Sequence, residues 1–299
     1  MRVFAGIDRE MLERYRLLMA EYGISLRKEV GQHLLLNPEA LDLMADSAGV
    51  RGSDAVLEVG PGPGNLTERI VEKRPKSLTL VERDRRFVRL LEERFGGLEW
   101  VEVIRGSALR VLPDEAHSVM VSNPPYGISS RLVVGLSLSG FERVVLTFQQ
   151  EFGRRLTASP GTPAYGSLSV LTQVRYDVAP LALLRASCFY PRPRVDTVML
   201  LLRSRSPPGP ELRMLKGVLP HIFSRRKRTL RAALKGWLRG VLGLEEPRLS
   251  EVLDQCPIST DERVYKISPD EYLALASFLK GVSDEVAGGR GRGTADQGP

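Results

Sequence analysis

Between residues 55 and 148 short apolar runs alternate with amphipathic ones, and that alternation restricts the fold more than any other feature of the chain. AVLEV (55–59) reads as a buried strand, GPGPGN as a loop and LTERIVEK as a helix. SLTLVE (77–82) is the next strand, and DRRFVRLLEERFG carries apolar residues at helical spacing. LEWVEVIRG, HSVMVSN and FERVVLTF read as further strands, with a helix after Tyr126. Strands that alternate with helices imply a largely parallel sheet covered by helices on both faces. The expected fold class is α/β.

The flanks read differently. Residues 1–28 are expected to form a basic N-terminal extension, helical around Met11–Glu21. GQHLLLNPEALDLMADSAGV then places a cap at Asn37 and Pro38 at the first position of an amphipathic helix. LRASCFYPRPRVDTVMLLLR holds a candidate strand pair interrupted by the proline-rich FYPRPR. SRSPPGP, with three prolines and a glycine, marks a linker. Beyond it Leu230, Ala233, Leu234, Trp237, Leu238 and Val241 make one apolar helix face, and Arg231, Lys235 and Arg239 line another. The expected division is an extension at 1–28, an α/β domain at 29–204, a linker at 205–210 and a small helical domain at 211–280. GGRGRGTADQGP is Gly-rich and poor in hydrophobics, so 281–299 is expected to be a disordered tail.

Composition narrows the partners. No apolar run is long enough to span a bilayer and MRVFAGIDRE lacks a signal-peptide core, so a cytoplasmic protein without a membrane partner is expected. Two cysteines and three scattered histidines suggest neither a disulfide framework nor a metal site. The net charge of +7 says little by itself. Its distribution says more: from Leu212 to Leu244 there are nine Lys or Arg and no Asp or Glu, a local field that favours phosphate. The chain has only three asparagines, Asn37, Asn65 and Asn123, as a heat-adapted composition would. No pairing surface is evident, and a monomer is expected.

Three motifs carry chemistry. Glu58-Val-Gly-Pro-Gly-Pro-Gly64 follows a strand and precedes a helix, where glycines such as Gly60 and Gly62 let the backbone approach a ligand and the helix start offers free N–H groups. Asn65 stands where a third glycine would be spaced for pyrophosphate, which argues against a dinucleotide and leaves room for an amino-acid-bearing nucleoside. Glu82 ends the next strand, 22 residues after Gly60. An acid about 20 residues on accepts from ribose hydroxyls in doubly wound folds, although an acid is also favoured before a helix start. Asn123-Pro124-Pro125-Tyr126 is a stiff turn at a strand end, because each proline fixes φ and removes a donor. Adenine N6 and cytosine N4 are poor nucleophiles, their lone pairs being delocalised into the ring. The Asn123 amide oxygen and the Pro124 carbonyl could both accept from such an amine, while the Tyr126 ring holds an extruded base flat.

Gly loop, acid and NPPY in this order resemble the S-adenosyl-L-methionine-dependent amino-methyltransferases. GQHLLLNP, LEVGPGPGNLT, LVERD, QQEFGRRLTASPGTPAYGSLSV, FYPRPRVDT and FSRRKRTLRAAL narrow the resemblance to the small-subunit rRNA adenine N6,N6-dimethyltransferases, over roughly residues 29–240. That family implies a Rossmann-like methyltransferase sheet with helices on both faces, followed by a small C-terminal helical domain that binds RNA. It implies S-adenosyl-L-methionine as cofactor and the small-subunit rRNA of a pre-ribosomal particle as partner. By the same resemblance His33 and Leu35 line the methionine end of the cofactor, Gly60 packs on its backbone and Glu82 binds its ribose. Asn123 lies between cofactor and target amine, Phe189 sandwiches the adenine against Tyr126, and Arg225, Arg226 and Lys227 contact RNA phosphate. Ser107 departs from the Asp that the family commonly uses to accept from the cofactor's adenine amine. The implied reaction places two methyl groups on each of two adjacent adenines in a hairpin near the 3′ end of the rRNA. A DNA adenine methyltransferase shares the cofactor site and NPPY, and a non-catalytic RNA-binding factor on the same scaffold is a further alternative.

Overall fold

Strands buried on both faces read as continuous apolar runs, and four such runs, with a less buried fifth strand at the edge, form the parallel part of one sheet. In chain order the strands are β1 (Arg2–Phe4), β2 (Leu34–Leu35), β3 (Ala55–Val59), β4 (Ser77–Glu82), β5 (Val101–Arg105), β6 (Val119–Ser122), β7 (Arg143–Gln149), β8 (Tyr176–Leu184), β9 (Phe189–Tyr190) and β10 (Thr197–Ser204). The structure is a computed structural model and describes residues 1–27 and 31–292. Its main sheet has eight strands in the order β1-β8-β10-β7-β6-β3-β4-β5, and β2 pairs with β9 separately. β3 to β7 are mutually parallel, whereas β10 runs antiparallel to both β7 and β8. Val56, Leu78, Leu80, Val119, Val121 and Val145 are fully buried, each worth about 1.5–3 kcal/mol relative to exposure.

The helices are α1 (Arg9–Glu21), α2 (Pro38–Ser47), α3 (Asn65–Glu72), α4 (Arg85–Phe95), α5 (Ala108–Val111), α6 (Ser129–Ser137), α7 (Gln150–Leu156), α8 (Ser167–Arg175), α9 (Pro210–Phe223), α10 (Leu230–Leu242), α11 (Arg248–Asp254) and α12 (Pro269–Arg292). Caps explain several starts. Asn37 Oδ1 accepts from Ala40 N (3.0 Å) ahead of Pro38, and Asp84 Oδ1 accepts from Arg86 N (3.0 Å).

The chain divides into two compact units: Met1–Thr157 with Tyr176–Pro207, and Ala158–Arg175 with the residues from Pro208 onward. Residues 158–175 thus belong with the helical unit rather than with a continuous α/β domain. The reason is that α8 buries Val170, Leu171 and Val174 and packs with α9 and α12. The N-terminal segment carries the expected helix as α1, which buries Tyr15 and Met19 beside Phe87 and Leu90, and its β1 adds a parallel strand to β8, so the segment packs into the first unit. Lys28 lies outside the described residues. The tail also differs from expectation, because α12 continues through Arg292; helix propagation beyond a packed start costs little. Residues 293–299 lie outside the described residues.

In the helical unit Phe223 contacts the rings of Tyr165 (6.1 Å) and Tyr272 (5.8 Å). The two tyrosine hydroxyls donate to Ile267 O (2.8 Å) and Val264 O (2.7 Å). α10 buries the expected face except Val241, which is 59% exposed.

The helix α7 generates a test of the packing. A Cβ at Gly153 would come within 2.1 Å of Val198 Cγ1 on β10. Helix propensity favours alanine over glycine by about 1 kcal/mol, but overpacking costs about 1–3 kcal/mol, and the clash should win. Gly153→Ala is expected to lower the melting temperature by several degrees in thermal unfolding; an unchanged or raised value would mean that α7 shifts off the sheet freely.

Candidate active site

Ligands of open α/β sheets bind outside the carboxyl ends of the strands, and the loops after β3, β4 and β6 there enclose a cavity of about 580 Å³ in the first unit. The loop after β3 needs its glycines. Gly60, Gly62 and Gly64 have φ of +66°, +56° and +88°, a region open to glycine without strain. A Cβ at Gly60 would approach Pro125 Cδ to 3.2 Å, and one at Gly62 would approach Leu34 Cδ2 to 3.3 Å. The Gly loop, the NPPY turn and residues 31–35 are therefore packed backbone to side chain around one space.

Glu82 holds this loop from β4. Its Oε1 accepts from Arg83 N (2.6 Å) and Asp84 N (2.9 Å), and its Oε2 from Gly62 N (3.3 Å). Burial pushes its carboxyl above the usual range, while the three N–H donors pull it back. Glu58, to which the sequence reading gave no role, is 1% exposed and accepts from Thr67 Oγ1 (2.7 Å). Burial pushes Glu58 up to about 8; the Thr67 bond opposes this and the charge of Glu82 adds to it. Its signal in the sequence was an acid inside an otherwise apolar strand run.

Asn123 sits just past β6, half-buried. Its Nδ2 donates to His33 O (3.1 Å) and its Oδ1 accepts from Thr147 Oγ1 (2.5 Å). Asn65 Nδ2 donates to Leu35 O (2.7 Å), so two side-chain amides tie down the same short segment. Among the described residues nothing donates to the Pro124 carbonyl. The Tyr126 hydroxyl bonds Thr197 Oγ1 (2.6 Å), and burial pushes the phenol up to about 12. Its ring stacks on His33 at 5.6 Å between centroids. His33 Nδ1 lies 2.6 Å from Pro191 O, which can only accept, so Nδ1 carries the hydrogen.

Five predicted residues, His33, Gly60, Glu82, Ser107 and Asn123, line the cavity. Leu35 is fully buried beneath it, with Leu34 lining the cavity instead, and Gly62 contributes through its bond to Glu82. Ser107 precedes α5, and its hydroxyl makes no cap bond. Phe189 does not meet the expectation of a stacking partner. It pairs with Leu35 across β2 and β9 and is 2% exposed within the core, because strand alternation turns Phe189 inward; the ring against Tyr126 is His33.

The basic segment lies in the helical unit and is partly neutralised. Arg231, Lys235 and Arg239 pair with Asp254, Glu246 and Glu245 at 2.5, 3.2 and 3.5 Å. Arg226 spends its guanidinium on Pro163 O (2.8 Å) and Thr162 O (3.1 Å) and lies over the Tyr265 ring. Arg225 and Lys227 are exposed, and among the described residues neither makes an ion pair.

A Rossmann-like sheet with this Gly loop, acid and NPPY turn at its carboxyl edge defines the class, the S-adenosyl-L-methionine-dependent methyltransferase fold. The model of the ribosomal RNA adenine dimethylase family matches residues 23–280. The probable ribosomal RNA small subunit methyltransferase A of Pyrococcus abyssi is 33% identical over 273 residues, 90% of this chain and 98% of that protein. The ribosomal RNA small subunit methyltransferase A of Geobacter metallireducens is 37% identical over 86% of this chain and 96% of its own. Of solved structures, a dimethyladenosine transferase from Plasmodium falciparum matches with a TM-score of 0.70 at 26% identity, over 83% of this chain and 98% of that one. The 23S rRNA methyltransferase ErmE matches with a TM-score of 0.60 at 25% identity, over 83% and 99%. The chain belongs to the ribosomal RNA adenine dimethylase family.

Glu58 gives the site a pH signature. An acid whose pKa rises on folding contributes stability that is full below its ordinary value and lost as pH climbs through its folded value, here about 8. Glu58→Gln cannot ionise and still accepts from Thr67, so its melting temperature should exceed the wild type's by several degrees near pH ~9 and by little near pH ~5. An equal difference at both pH values would show that Glu58 does not titrate in this way.

Proposed function

We propose that the chain binds S-adenosyl-L-methionine in the cavity of its α/β unit and dimethylates N6 of two adjacent adenines in a hairpin near the 3′ end of small-subunit rRNA, within a pre-ribosomal particle. The observation that carries this reading is the Asn123 amide, held at the cavity wall by two hydrogen bonds beside a Pro124 carbonyl with no protein donor. The names of the relatives in Pyrococcus and Geobacter support the small subunit as the source of the RNA.

The residues present fit the cofactor. A cavity of about 580 Å³ lies in the range of nucleotide-sized sites, roughly 300–1,000 Å³. Glu82 offers carboxylate lone pairs for ribose hydroxyls, and the left-handed Gly loop admits close approach to the backbone. The bound cofactor supplies a methyl group already activated on a sulfonium. The protein's task is alignment and charge support. Asn123 Oδ1 and Pro124 O accept the two N6 hydrogens of adenine, drawing the nitrogen toward tetrahedral geometry and freeing its lone pair. The Tyr126 ring keeps the base flat, with its hydroxyl anchored on Thr197. The proton leaves once the amine carries its new positive charge. Arg225 and Lys227, both exposed, would meet phosphate, whereas Arg226 orders the 162–163 backbone.

Labelled S-adenosyl-L-methionine incubated with unmodified small ribosomal subunits, followed by nucleoside analysis, should give dimethyladenosine. Asn123→Ala is expected to cut turnover about a hundredfold or more, the scale of removing one preorganised polar group. Product on large subunits but not small ones would transfer the reading to the activity named for ErmE. No product on either, despite RNA binding, would favour a non-catalytic factor. Ser107 supplies a separate check. The Ser107 hydroxyl makes no cap bond that the change would remove, and a carboxylate strengthens an amine contact, so Ser107→Asp should tighten cofactor binding about tenfold by calorimetry.

A further inference from the structure

The rotation of an asparagine amide about χ2 is broad and has no staggered wells, so the direction of the Asn123 oxygen is set by whatever bonds the amide. Two partners do so. His33 O can only accept, which turns the nitrogen end toward it at 3.1 Å. The oxygen end then faces Thr147, whose hydroxyl donates at 2.5 Å. Thr147 is fully buried near the end of β7. The parallel register pairs Ser122 with Leu146, and the next residue of each strand brings Asn123 and Thr147 side by side. Its other neighbour in register is Met199 on β10, so the strand is fixed from both sides. A valine would fill nearly the same volume, and packing alone therefore does not call for a hydroxyl at this point.

We infer that Thr147 is a positioning residue for methyl transfer: its hydroxyl occupies one lone pair of Asn123 Oδ1 and leaves the other directed at the target amine. This rests on the reading that Asn123 acts on that amine. A carbonyl oxygen has two lone pairs, so the Thr147 bond does not compete with the substrate. It removes the orientations in which the remaining lone pair points elsewhere, and those are the ones a transition state cannot use. The His33 and Thr147 bonds also polarise one another through the amide.

The test uses the full-length protein with unmodified small ribosomal subunits and the variants Thr147→Val, Thr147→Ser and Asn123→Ala. Because the chain has three asparagines, asparagine-selective nitrogen labelling gives three side-chain amide signals, with Asn37 and Asn65 as internal references. Thr147→Val should lower kcat about tenfold, the scale of one hydrogen bond, and leave S-adenosyl-L-methionine affinity within about twofold. The Asn123 amide signal should shift or broaden while the two references stay in place, and Thr147→Ser should restore both signal and rate. A wild-type rate in Thr147→Val, with Asn123→Ala inactive, would overturn the proposal and leave the role of Asn123 standing. A loss in Thr147→Val that Thr147→Ser does not restore, with all three amide signals displaced, would make Thr147 merely structural and overturn it as well. Full activity in Asn123→Ala would remove the reading on which the proposal rests.

Discussion

Parallel strands that end together leave backbone N–H groups with no further strand to pair with, and buried side-chain oxygens take over those donors here. Glu82 accepts from three of them, at Gly62, Arg83 and Asp84, and Ser122 Oγ accepts from Val59 N at 2.8 Å. Each such donor left unpaired in a buried place would cost about 1–3 kcal/mol. The loops that form the cavity are therefore held by bonds the fold already requires. A site assembled on strand ends in this way is more precise than one carried by free loops. The carboxylates bear the strain of this arrangement: Glu58 and Glu82 are both buried and both pushed upward by burial, and the charge of Glu82 makes Glu58 harder still to ionise.

How much of this could be read from the residues depends on whether the information was local. The central strands were legible because burial on both faces leaves an apolar run that no surface element shares. β8 was not, because Pro180 lies within it and proline argues against an interior strand. The structure accommodates Pro180 beside a register shift between Met199 and Leu200, where the ladder is already irregular. The Gly loop, Glu82 and Asn123 announced themselves by spacing. Thr147 did not: a threonine in VVLTFQ acquires meaning only when another strand is laid beside it, and Glu58 showed only as an acid in the apolar run AVLEV, its partner Thr67 lying on α3. The same holds for the basic segment, whose acidic partners Glu245, Glu246 and Asp254 come just after the window that looked uniformly positive. Phe189 shows the converse error. A motif gave its position, while the pairing of β9 with β2 decided which way its side chain points.

The three asparagines join these threads. Each amide donates to a backbone carbonyl: Asn37 to Gly6 O (3.1 Å), Asn65 to Leu35 O (2.7 Å) and Asn123 to His33 O (3.1 Å). Two of those acceptors lie in the segment His33–Asn37, and the third donor is its last residue. The N-terminal segment closes on the same stretch, with Asp8 N donating to Leu36 O (2.8 Å), while Leu36 N donates to Cys188 O (2.8 Å). The family match begins at residue 23, so β1 and α1 lie outside it and still brace a wall of the cavity. Aspartate could not make these bonds, because it has no donor when ionised, and a cation there would carry charge into a part-buried site. Asparagine supplies an uncharged N–H donor and, on a separate atom, an acceptor, on one short side chain. A heat-adapted composition disfavours the residue elsewhere; here Asn65 and Asn123 line the cavity and tie down its wall at Leu35 and His33, and Asn37 caps α2 at the end of the same segment, so that little binding energy is spent on ordering that wall.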